Sequence, residues 1–159
     1  MLFRSTPEQM AKQNQINKEN RIRRLIKANF YPSDLWVTLK YQKGTRKPYE
    51  QVMKDMALFL QRLRYRYKKL EDVLKYIYRI EIGKRGGIHV HILLNRTKCS
   101  KGTDTLIAEC WTFVLSISPH PGRQVGIKIW PSILQNRFRK NSKITRMQKR
   151  QNYIIRPGI

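Results

Sequence analysis

Acidic side chains are scarce in this sequence. Ten Asp and Glu stand against 34 Lys and Arg in 159 residues, giving a formal net charge of +24 and a pI near 10.6. Cysteine is almost absent. Cys99 and Cys110 form no CxxC pair, which argues against a disulfide framework or a structural zinc knot and for a reducing interior. Long apolar runs are missing too. No stretch approaches the roughly 18 to 20 residues that a membrane-spanning helix requires, and residues 1–12 lack the apolar core of a signal peptide. A cytoplasmic location is therefore expected, with no membrane partner. The glycines of 83–87 are too few and wrongly framed to cradle a nucleotide, so no ATP or redox cofactor is implied.

What is abundant is positive charge. Like charges repel one another in the compact state, and a polyanion relieves that repulsion. Nucleic acid is the leading partner, because each phosphate contact releases condensed counterions. A membrane surface fits less well, since the basic residues are spread along the chain and not gathered on one amphipathic helix. The length suits one domain, and an apolar share of 40% suffices for a core.

Ser5-Thr6-Pro7-Glu8-Gln9 reads as a helix start: a hydroxyl cap, proline where its missing N–H is harmless, then an amide reaching back. The spacing predicts a basic, peripheral helix to about residue 28. Residues 34–41 read as a strand. Over 49–69 the period becomes helical, with Val52, Met56, Phe59, Leu60, Leu63 and Tyr67 on one face. Residues 75–82 and 88–94 are strands joined by a glycine-rich basic turn, a β-hairpin. Thr103 or Asp104 is expected to cap a further helix that turns Leu106, Ile107, Cys110, Trp111 and Val114 inward. Another strand is expected over 122–130, and 137–150 holds seven basic residues and no acidic one. The pattern predicts an α+β fold: a mainly antiparallel sheet with helices packed on one face.

Gly86-Gly-Ile-His-Val-His-Ile-Leu-Leu-Asn95 is the most informative segment. Side chains alternate along a strand, so His89 and His91 share one face while Ile88, Val90 and Ile92 point to the core. Two adjacent imidazoles can chelate a metal. Glu81, an acid between Ile80 and Ile82, comes to lie across the hairpin from them if register and parity agree. His-x-His pairs also arise by chance on strands. The neighbouring acid, the preceding glycines and the basicity favour metal-dependent phosphodiester chemistry. His120, in a proline-rich turn, reads as a loop residue.

Three segments resemble the motifs of the rolling-circle replication initiators (Rep), of bacterial plasmid and phage type, within the HUH endonuclease superfamily. Trp36-Val-Thr-Leu-Lys-Tyr41 is similar to the first, a hydrophobic strand carrying a threonine. Glu81-Ile-Gly-Lys-Arg-Gly-Gly-Ile-His-Val-His91 is similar to the second. The resemblance implies a central antiparallel sheet of the RNA-recognition-like kind, Mg or Mn held by Glu81, His89 and His91, and a tyrosine nucleophile on a later helix. It divides the chain into a basic N-terminal helix, 1–30, and a nuclease domain, 31–159, truncated at its C-terminus on one reading. After Asn95 the sequence has a single tyrosine, Tyr153, with Arg156 three residues on. The family expects a lysine at that spacing. Pro157 and Gly158 end any helix there, so 152–159 reads equally as an extended tail. The tyrosine segment would then be missing from near 132–138.

The implied activity is nicking of single-stranded or hairpin DNA at a replication origin, leaving a 5′-phosphotyrosine and a free 3′ hydroxyl. Lys84, Arg85, Arg62, Arg66 and Arg156 are the expected DNA contacts. Trp36, Tyr41 and Tyr78 are either base-stacking platforms or ordinary half-buried sheet residues. Two other functions remain open: a single-tyrosine transposase of the same superfamily, and a non-catalytic nucleic-acid-binding protein derived from an initiator.

Overall fold

The computed structural model describes residues 6–83, 86–98 and 102–119. Along the chain come α1 (Pro7–Asn29), β1 (Leu35–Lys40), α2 (Tyr49–Lys69), β2 (Tyr76–Ile82), β3 (Ile88–Leu94), α3 (Thr103–Cys110) and β4 (Val114–Pro119). The strands form one sheet in the order β2-β3-β1-β4. Every neighbouring pair is antiparallel, as the α+β reading expects.

Alternation along the strands decides the core. Leu35, Val37 and Leu39 of β1, Tyr76 and Ile80 of β2, and Val90, Ile92 and Leu94 of β3 all face one side. There they meet α2 through Val52, Met56, Phe59, Leu60, Leu63 and Tyr67, the six residues of the helical stripe. Ile107 and Cys110 of α3, with Trp111, complete this layer. At its end, Tyr41 donates a hydrogen bond to Asp55 at 2.8 Å and Lys47 pairs with the same carboxylate at 2.8 Å. These contacts fasten the end of β1 to α2.

The expectation that helices occupy a single face holds for α2 and α3 but not for α1. Ile22 of α1 and the following Phe30 pack against Ile77 and Leu93, with Ile26 and Trp36 alongside. These sheet residues point away from α2. The cause is compositional: α1 is polar through its first half, and its short apolar segment covers one end of a sheet face and no more. Its start is a capping box, in which Gln9 N–H donates to the Thr6 hydroxyl at 3.3 Å and Thr6 N–H donates to Gln9 Oε1 at 2.9 Å.

Three expectations near α3 need correction. The N-cap is Gly102, with no side-chain cap bond. Thr103 is buried, and its hydroxyl accepts from Thr97 N–H at 2.9 Å, so it is committed to the preceding loop. Val114 does not turn inward on the helix; it is exposed and opens β4, which pairs with β1. The Trp111 indole N–H reaches Val114 O at 3.1 Å and Lys40 O at 3.3 Å, holding the bend between α3 and β4. The strand expected over 122–130 lies outside the described residues.

Phe59 is 1% exposed and its neighbour Leu58 is 50% exposed. Phe59→Ala should therefore destabilise the protein by about 3–5 kcal/mol, and Leu58→Ala by no more than about 0.5 kcal/mol. Chemical denaturation of the two variants measures the difference.

Candidate metal centre

The β2–β3 hairpin turns within 83–87. Gly83 N–H donates to Gly87 O at 2.7 Å and Gly86 N–H to Gly83 O at 2.9 Å. Gly86 has φ +79°, a left-handed conformation that costs glycine little and other residues more. The turn sets the register: Glu81 stands directly opposite His89, and Arg79 opposite His91. On the other flank of β3, Thr38 of β1 stands opposite His91. Alternation puts Glu81, His89, His91, Arg79 and Thr38 on the face turned away from α2, beside the patch that α1 covers.

On that face the donors converge. Glu81 Oε2 lies 3.3 Å from His91 Nε2 and 3.7 Å from His89 Nε2. One ligand atom from each of the three residues falls within 4.8 Å of the others. The imidazoles meet edge to face, 4.9 Å between centroids at 88°. Trp36 stacks along the His91 ring at 5.6 Å and 18°, and Thr38 Oγ1 is 3.2 Å from His91 Nδ1. All three side chains are half-buried, with exposures of 20% for Glu81, 28% for His89 and 17% for His91, so solvent reaches the cluster.

The donor set suits a divalent ion. Ligand atoms about 2.1 Å from a common ion lie about 3.0 Å apart at right angles and about 3.4 Å apart at the tetrahedral angle. The observed carboxylate–imidazole separations are close to both. Burial, reinforced by the charge of His89 and of Arg79, holds the His91 imidazole below its ordinary pKa against the opposing pull of Glu81. A neutral imidazole is the form that binds metal.

Other residues expected at the site are used elsewhere. Arg62 and Arg66 sit on α2, across the sheet from the cluster. Arg62 donates to Cys110 O at 3.5 Å and Arg66 pairs with Glu109 at 3.2 Å, so both join α2 to α3. Tyr41 and Tyr78 pack against the core on the α2 side, and Tyr78 stacks with Tyr76. Lys84, Arg85, His120, Tyr153, Arg156 and the basic segment 137–150 lie outside the described residues. Trp36 and Thr38 were legible only as parts of a motif. Their shared face followed from alternation, but nothing local indicated that β1 lies beside β3.

Residues 34–155 match the family described as replication-associated protein ORF2/gene 2 protein. The chain belongs to that family. The matched segment begins just before β1 and contains Glu81, His89, His91 and Tyr153. Membership makes this a replication-associated protein and agrees with the resemblance to rolling-circle initiators. No curated protein is matched, and no solved structure is matched. No described helix is long and apolar enough to cross a membrane.

An ion that binds the folded chain alone stabilises it by mass action, by about 2.7 kcal/mol at 100 times its Kd. Saturating Mn should then raise Tm by about 5–10 °C for a chain of this size. The double variant His89→Ala/His91→Ala should lose that rise. Differential scanning calorimetry with and without Mn reads both; an equal rise in the double variant would place the ion elsewhere.

Proposed function

We propose that this protein nicks single-stranded DNA at a replication origin and so starts rolling-circle replication. The observation that carries the reading is the convergence of Glu81 with His89 and His91 on an accessible sheet face, in a chain of the replication-associated family. Glu81, His89 and His91 would hold the ion. Mn matches them better than Mg, which keeps to oxygen ligands and dehydrates reluctantly. When bound, the ion withdraws charge from a phosphate oxygen and makes the phosphorus easier to attack.

The nucleophile in this reading is Tyr153. Its phenol oxygen attacks the scissile phosphorus as the bond to the 3′ oxygen breaks. The 5′ phosphate is left on tyrosine, and the departing 3′ oxygen takes up a proton. The phenol must lose its own proton, and an unperturbed tyrosine pKa is near 10. Nearby cations favour the phenolate, and Arg156 is the basic residue nearest in sequence on the C-terminal side. Lys84 and Arg85 in the hairpin turn would contact phosphates close to the histidines. The released 3′ hydroxyl primes synthesis.

The net charge of +24 favours a second reading, a nucleic-acid-binding protein without catalysis, because charge alone accounts for phosphate affinity. A labelled single-stranded hairpin oligonucleotide incubated with Mn separates the two. Nicking predicts a covalent protein–DNA adduct in the wild type that is absent from Tyr153→Phe. Nicking should fall below detection in His89→Ala/His91→Ala, with DNA affinity largely kept. An adduct that survives Tyr153→Phe removes Tyr153 from the reaction. Tight, salt-sensitive binding without any adduct supports the binding protein.

A further inference from the structure

We propose that Thr38 is the positioning residue of this cluster: its hydroxyl holds the His91 ring so that Nε2, and not Nδ1, is the ligand atom. The inference rests on the metal reading above. Thr38 is paired with His91 across β1 and β3, and its Oγ1 lies 3.2 Å from Nδ1 while Nε2 lies 3.3 Å from the Glu81 carboxylate. The free nitrogen of a metal-bound imidazole makes a hydrogen bond that fixes ring orientation and tautomer. A hydroxyl both donates and accepts. Thr38 therefore holds Nδ1 whether or not that atom is protonated, and the ring need not turn when Nε2 gives up a proton to an ion. A flipped ring would set a carbon against the hydroxyl and withdraw Nε2 from Glu81.

Trp36 supplies the second constraint. It lies two residues before Thr38 on the same face of β1 and stacks on the His91 ring. It packs in turn beside Ile22 and Phe30, so α1 backs the stack. His91 is gripped on its face by an indole and on its edge by a hydroxyl. Strand packing between Val37 and Leu39 would be served equally by valine at 38. A half-buried hydroxyl at hydrogen-bond distance from a ligand imidazole is an addition that packing does not require.

Two full-length variants test this, Thr38→Val, which keeps the branched shape, and Thr38→Ser, which keeps the hydroxyl. Thermal unfolding establishes that both fold. Loss of such a partner typically costs 10–100-fold in metal affinity, so the Mn dissociation constant, read by electron paramagnetic resonance, should rise by about that factor in Thr38→Val and stay within about threefold in Thr38→Ser. In metal-free protein, the ¹⁵N resonance of His91 Nδ1 should move in Thr38→Val and return in Thr38→Ser. This second readout needs no ion. If the wild type bound no Mn, the metal reading would fall while the Nδ1 resonance still decided the role of Thr38. An unmoved Nδ1 resonance in Thr38→Val overturns the inference, as does an unchanged Mn affinity in that variant when the wild type binds.

Discussion

The pairing of Glu81 with His89 is the constraint on which the rest depends. Because side chains alternate along a strand, a slip of one residue between β2 and β3 would send every β2 side chain to the opposite face relative to its partners. Glu81 would then face the α2 layer, and Ile80 and Ile82 would face solvent. The apolar alternation that builds the core is thus the same alternation that assembles the donors. The Gly83–Gly87 turn locks it, since a closed turn of fixed length leaves the strands one register. Core and site are specified together, and neither can be lost without the other.

Position in the sheet does the remaining work. β3 is an interior strand, so its histidines receive neighbours from two sides: Glu81 and Arg79 from β2, Thr38 and Trp36 from β1. An edge strand would offer one flank only. Covering one end of this face with α1 buries Ile77, Leu93 and part of Trp36 and leaves the end carrying His89 half-open. The result is a cluster rigid enough to hold its rings and open enough for a large ligand. In a chain so short of acids, Glu81 is also the carboxylate that offsets the repulsion an ion meets among so many cations.

Much of this was legible in the residues. The capping box of α1, the buried stripe of α2 and the shared face of the two histidines followed from local periodicity and hydrogen-bonding capacity. What escaped was non-local. The neighbours of β3 depend on strand order, which no motif states, so Thr38 and Trp36 had no evident role although both stand in a recognisable motif. Arg62 and Arg66 looked free because a helical wheel shows only which face is polar, not that α3 docks there. Val114 read as helix because the Trp111 indole, which holds the chain in a bend, acts through backbone carbonyls that sequence does not display. Thr103 had the chemistry of a cap, but the competing loop at Thr97 took its hydroxyl.

The central claim is that one carboxylate and two imidazoles on this sheet face form a metal site. Anomalous diffraction from crystals grown with Mn tests it directly. The account predicts a single strong peak within bonding distance of Glu81, His89 Nε2 and His91 Nε2. A saturated crystal with no peak there, or with Mn bound only at other residues, would contradict it.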